Sequence, residues 1–234
     1  MEVPQHFAMA TDQVRALLAG IRAADLVTAH EQGLVATYLP FVFDPDDGKH
    51  GSLITHVARN NRQWSEPTTG EALVIVHGAD AYVSPDWLPS YADTAQAVPT
   101  WNYLTVHAYG ELVAHDDPAW TEAAVRRLTE HHERLAGTTY GVDGTDAGYV
   151  ERMLRAIVGI EIRLTRVEAK AKMSQNKRPD DVRGIVAGLA SQPDDGSRAS
   201  AAWMAEHAIA AAEARAAVVE DLAARARGAR APLA

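Results

Sequence analysis

Cysteine is absent from all 234 residues, which excludes disulfide scaffolds, thiolate metal sites and cysteine nucleophiles. Any metal would have to lean on histidine or carboxylate. A charge-free apolar run of bilayer length is also missing, and the opening MEVPQHFAMATDQ has no basic segment followed by an apolar one. The expectation is a soluble, cytoplasmic protein that does not enter a membrane. Positive charge is scarce: 31 acidic residues against 22 basic ones leave a net charge of -9. That balance works against nucleic acid as a partner, because duplex affinity comes largely from neutralising phosphates. The chain has no internal repeat. It has no GxxxxGK[ST], no GxGxxG after a strand, no HExxH and no GxSxG, so nucleotide-loop, Rossmann, zincin and hydrolase-elbow chemistries lack their signatures.

What is present is hydrophobic patterning, at 47% apolar content, enough for one sizeable domain or for one domain and an appendage. Val14, Leu17, Leu18 and Ile21 recur at helical spacing after Thr11 and Asp12, which predicts a capped helix over residues 12–24. Leu26–Ala29 and Leu34–Phe43 flank Glu31-Gln32-Gly33 as a hairpin, and Ser52–Ala58 and Ala72–His77 read as further strands. Residues 59–71 and 78–98 read as irregular connections, the kind of long loop that often carries function. Asp117-Pro118 starts a helix with Trp120, Ala124, Leu128, His131 and Leu135 on one face. A shorter helix around Tyr149–Leu154, an alternating strand through Ile160, Ile162 and Leu164, and an amphipathic helix through Val182, Ile185 and Leu189 follow. From Ser197 the chain is Ala-rich and helical by propensity, with Trp203, Met204, Ile209, Val218, Val219 and Leu222 as the residues available for burial. These elements predict an α+β protein: a closed or partly closed β-barrel domain over residues 1–196 with peripheral helices, and a C-terminal helical extension over 197–234.

The most informative stretch is VPTWNYLTVHAYG, residues 98–110. Side chains alternate across a strand, so Asn102, Leu104, Val106 and Ala108 share one face. Trp101, Tyr103, Thr105, His107 and Tyr109 share the other. An aliphatic face suits a core, whereas rings tipped with indole, hydroxyl and imidazole groups suit a bound cofactor or a second subunit. In LITHVARNNRQW, residues 53–64, His56 occupies a strand position and is followed by Arg59, Arg62 and Trp64. An imidazole can ligate a metal or haem iron, and guanidinium groups hold phosphates or carboxylates; a histidine bonded to a carbonyl with arginines in solvent satisfies the same spacing. Lys170, Lys172, Lys177 and Arg178 surround Met173-Ser174-Gln175-Asn176, where positive charge and hydrogen-bonding capacity suit an anion, although a charge run also makes an ordinary solvated face. His131-His132-Glu133 reads as part of a packed helix, since adjacent helical residues point about 100° apart.

Taken together, ATYLP (36–40), LITHVARNNRQW, AYVSPDW (81–87), VPTWNYLTVHAYG, AIVGIEI (156–162) and KAKMSQN (170–176) resemble the PaiB-like family, labelled FMN-binding negative transcriptional regulators. The resemblance covers about residues 2–190. It implies an FMN-binding split β-barrel, a homodimer, and cofactor sites at the subunit interface. Tyr38, Thr55, Asn60, Arg62, Ala79 and Leu88 depart from the family pattern, which implies a reshaped pocket. Within the same superfamily, similar piperazate synthases use haem b to close side-chain N-hydroxylated ornithine into a ring through an N–N bond. That likeness gives the expectation taken forward: a haem enzyme acting on a small amino-acid-like substrate. His56 would be the iron ligand, Arg59, Arg62, Trp64, Trp101 and Asn102 would be cofactor contacts, and Tyr103 or His107 would be the catalytic group. The alternative is an FMN-binding PaiB-type redox or regulatory protein in which Arg59, Lys172, Gln175 and Asn176 hold the flavin.

Overall fold

A computed structural model of the chain describes residues 1–228. The fold is α+β, a seven-stranded antiparallel sheet with peripheral and terminal helices in an open split-barrel arrangement. In chain order the elements begin with α1 (Thr11–Ala19), β1 (Ala23–His30), β2 (Gly33–Pro40), β3 (Val42–Asp44), β4 (Ser52–Ala58) and α2 (Arg62–Ser65). They continue with β5 (Ala72–Val83), α3 (Pro89–Thr94), β6 (Thr100–His115), α4 (Pro118–Ala136), α5 (Ala147–Leu154) and β7 (Ile157–Lys172). The chain closes with α6 (Pro179–Ala190), α7 (Asp195–Trp203) and α8 (Ile209–Gly228). The sheet order is β2-β1-β5-β6-β7-β4-β3. The hairpin register pairs Ala23 with Pro40 and His30 with Gly33, and β4 runs antiparallel to β7 with His56 opposite Gly159. Among the described residues, no helix is long and apolar enough to cross a membrane.

Several boundaries differ from the sequence reading, each for a local reason. Helix α1 stops at Ala19 because Gly20 caps it, and Ile21 reaches the core from outside the helix. Its N-cap is Ala10, whose backbone N–H donates to Gln13 Oε1 at 2.9 Å, so neither Thr11 nor Asp12 caps. The segment 59–71 contains the one-turn α2, started by Asn61, whose side chain accepts from the Gln63 backbone N–H at 2.8 Å. Strand β5 runs on to Val83 because alternate residues after His77 still bury, Ala81 and Val83 among them. The Ala-rich C-terminal segment is not one helix: a π turn over Met204–Ala208 separates α7 from α8. Met204 buries as expected, whereas Val218, Val219 and Leu222 remain more than half exposed. Residues 229–234 of the expected extension lie outside the described residues.

The described residues divide into two compact units. The first comprises Met1, Met9–His77 and Thr105–Ala169. Its core is apolar, with Leu26, Phe41, Leu53, Val106, Ile160 and Ile162 fully buried. Among the polar side chains buried in this unit, Gln63 donates through Nε2 to the Leu26 carbonyl and to Thr28 Oγ1, both at 3.1 Å, and accepts from Thr37. The second unit comprises Glu2–Ala8, Gly78–Leu104 and Lys170 onward. There α6 buries Val182, Ile185 and Leu189, and the bare face at Gly188 admits the Trp87 ring, which an added Cβ would meet at 2.3 Å.

Candidate cofactor site

The alternation of β6 sorts its side chains as the sequence predicts. Asn102, Leu104, Val106 and Ala108 are buried, while Tyr103, His107 and Tyr109 are half-buried and Trp101 is 55% exposed; only Thr105 sinks further than its neighbours. The ring-bearing face is therefore not consumed by the chain's own core.

In the second unit this face is aromatic and cationic. Trp101 meets Tyr82 edge-on with centroids 6.2 Å apart. The Nζ atoms of Lys170 and Lys172 lie 5.8 and 5.7 Å from the Tyr103 ring centroid. Both lysines project from the same face of β7 because they are two residues apart. Neither is ion-paired with a carboxylate among the described residues. Lys172 donates to Thr100 Oγ1 at 2.6 Å and to the Trp101 carbonyl. Burial, then the charges of Lys177 and Lys170, hold its pKa below the usual lysine value.

The loop after β7 is shaped by internal bonds. Ser174 takes a left-handed conformation, φ 59°, and its hydroxyl donates to Asn102 Oδ1 at 2.9 Å. Asn102 in turn donates to Met204 Sδ at 3.2 Å. Gln175 accepts from the Met173 N–H at 2.8 Å and donates to the Ala171 carbonyl at 2.6 Å. Asn102 and Gln175 are buried, and their amides hydrogen-bond to the protein itself, which orders the loop. Asn176 is exposed, and its carbonyl accepts from Arg215 at 2.7 Å.

In the first unit His107 lies 6.4 Å, centroid to centroid, from Tyr109, whose ring carries the Arg166 guanidinium at 3.6 Å. Burial lowers the pKa of His107; the N-terminal amino group and His77 act the same way and Glu168 opposes them. His56 projects from β4 on the Ile54 side, the side that packs Ala124 and Leu128 of α4. Burial lowers its pKa, and its Nδ1 is a buried nitrogen with no hydrogen-bond partner. Among the described residues, no group of three or more His, Asp or Glu is placed to hold a metal ion.

Arg59 is engaged on every side. It donates to the carbonyls of Arg155 at 2.8 Å and Ile157 at 3.1 Å, pairs with Asp116 at 2.7 Å, and lies 5.9 Å from the Trp64 ring centroid. Trp64 returns a bond from Nε1 to the Arg59 carbonyl at 2.9 Å. Arg62 lies 4.0 Å from Glu66. Arg59 also borders a cavity of about 610 Å³ with Asp116, Glu122, Arg126, Val150 and Leu154, which the sequence reading did not anticipate. His131 behaves as a packed residue, its Nε2 bonded to the Ile21 carbonyl at 2.6 Å.

The sequence singles out the Trp101 and Tyr103 face of β6 and, separately, Lys170 and Lys172 as anion-binding candidates; the fold brings the two sets together and adds Tyr82, which the sequence did not single out. The period of two in KAK is the signal that puts Lys170 and Lys172 on one face.

The sheet order and the helices that flank it define a split-barrel protein. The chain belongs to the family described as "Putative FMN-binding domain", whose model matches residues 1–166. It is similar to the protease synthase and sporulation protein PAI 2 of Bacillus subtilis, 28% identical over 180 residues that span 76% of this chain and 84% of that protein. Two solved structures share the fold. A conserved hypothetical protein from Mycobacterium tuberculosis matches with a TM-score of 0.52 at 13% identity, over 76% of this chain and 94% of that one. The FAD and heme binding protein from Mycobacterium smegmatis matches with a TM-score of 0.50 at 14% identity, over 72% of this chain and 74% of that one.

Proposed function

We propose that this protein is an FMN-binding split-barrel protein of the PaiB type with a redox role. The observation that carries the reading is the pair of lysines, unpaired with any carboxylate among the described residues, over the Tyr103 ring beside the exposed indole of Trp101. Flavin mononucleotide combines a dianionic phosphate with a planar apolar ring, and this donor set matches both halves. Lys170 and Lys172 hold the phosphate; Trp101 and Tyr103 cover apolar surface. Bound flavin supplies hydride or single-electron transfer. Tyr103 brings a phenolic proton to this patch. The assembly is a homodimer whose second copy covers what Trp101 leaves exposed. An acidic chain is a poor ligand for DNA, so the redox role is preferred over direct transcriptional regulation.

A second reading rests on His56. Its buried, neutral imidazole with an unpartnered Nδ1 has the electronic state an axial ligand to haem b requires. On that reading the protein is a piperazate synthase-like enzyme closing an N-hydroxylated, amino-acid-like substrate. The family model, described as a putative FMN-binding domain, favours the flavin.

Purification from cells supplied with riboflavin and haem precursor, followed by absorption spectroscopy, separates the two. A flavin spectrum that is lost in Lys170→Gln/Lys172→Gln supports the first reading. A Soret band lost in His56→Ala overturns it for the second, and specific DNA binding at physiological salt overturns the redox role.

A further inference from the structure

A groove of about 840 Å³ lies within the second unit, between the 96–98 segment, the start of α6 and one face of α8. Its apolar part is aliphatic, with Val98, Ala216 and Val219 prominent, the rest of the lining is polar or charged, and among the described residues no aromatic side chain lines it. Val98 is 79% exposed and Val219 56%, so this wall is apolar surface that the described residues leave uncovered. Lys177, Arg178 and Arg215 border the same groove. None of the three is ion-paired with a carboxylate among the described residues, in a chain of net charge -9. Arg215 gives one N–H to the Asn176 carbonyl, and a guanidinium carries five such donors, so most of its capacity is free.

We infer that this groove binds a small aliphatic carboxylate, with the chain against Val98, Ala216 and Val219 and the carboxylate on Lys177, Arg178 and Arg215. The lack of rings argues against flavins and nucleobases, which need a stacking surface. The carboxylates in the wall argue for a monoanion. Asp181 is spent on the Ser90 N–H and hydroxyl at 2.9 and 2.8 Å, and Asp180 pairs with Arg183 at 3.0 Å, yet with Glu220 they still oppose a dianion such as phosphate. The groove shares no lining residue with the lysine and tyrosine patch, although the Lys177 charge acts on Lys172.

Isothermal titration of the full chain with decanoate tests it, with butyrate and decyl phosphate as comparisons. Decanoate binds, and butyrate binds at least about tenfold more weakly because six fewer methylenes are buried. Arg178→Gln and Lys177→Gln each weaken decanoate by about tenfold, the usual loss for a charge-assisted bond. Ala216→Trp, on an exposed position of α8, fills the groove and abolishes binding with the circular dichroism unchanged. Absence of binding, affinity indifferent to chain length, or affinity unaffected by Ala216→Trp overturns the inference. Tighter binding of decyl phosphate overturns the assignment to a carboxylate. Self-association abolished by Ala216→Trp and indifferent to decanoate assigns the groove to a second copy instead.

Discussion

The indole of Trp120 occupies the space where a side chain at Gly159 would begin: a Cβ there would lie 2.3 Å from the ring. Gly159 sits on β7 directly opposite His56, and Trp120 stacks on His115 with centroids 3.8 Å apart and planes 9° from parallel. The first turn of α4 thus packs onto the sheet through a glycine-sized gap.

Gly159→Ala is expected to destabilise the protein by about 1–3 kcal/mol through overpacking. Denaturant unfolding measures it. In a Trp120→Leu background the same substitution should cost much less, because the two changes share one space.

Arg59 acts as a clamp on the Arg155 and Ile157 carbonyls, so Arg59→Ala is expected to lower Tm by about 2–4 °C and leave flavin affinity unchanged. Thermal unfolding alongside a flavin titration checks both halves. A large loss of flavin affinity with an unchanged Tm would restore Arg59 as a cofactor contact.

His56 titrates at a lower pH when folded than when unfolded, because burial disfavours its charged form. The unfolded chain therefore binds the extra proton first. The stability His56 confers is fully present above about pH 6.5 and declines as pH falls toward the folded-state value, at no more than about 1.4 kcal/mol per pH unit. Comparing the wild type with His56→Gln across pH 4.5–8, about two units below the free imidazole value to above it, should show a steeper decline in the wild type, because His107 and His132, whose pKa values burial also lowers, titrate in both proteins.

Lys172 has its pKa depressed, and an anion placed beside it would raise it again. Flavin binding is then accompanied by proton uptake at alkaline pH, and affinity falls as pH rises toward the ordinary lysine value of about 10.4. Lys172→Arg should flatten that decline, since a guanidinium stays charged, whereas Lys172→Met should weaken binding about tenfold at neutral pH. Fluorescence titration of FMN at several pH values reads all three.

Local pattern determined much of this protein. Alternation along β6 declared a buried aliphatic face and a half-exposed aromatic one, because in a strand the side chain's direction follows from position alone. Asp117-Pro118 likewise declared the start of α4: the Asp117 carboxylate accepts from the Ala119 and Trp120 N–H groups, and Pro118 has no N–H to leave unsatisfied. Absent motifs and absent cysteine narrowed the chemistry before any contact was known.

Tertiary structure decided how the polar side chains are spent. Asn102 and Arg59 look like ligand contacts in one dimension, yet their partners stand 72 and 96 residues away, and only folding shows that those bonds are made. The same holds for Lys170, whose place over Tyr103 depends on β7 lying beside β6 in the sheet. Sequence fixes which way a side chain leaves its own element, since that is local geometry; what it meets depends on which distant strand or helix packs there, and that is set by the burial of the core as a whole.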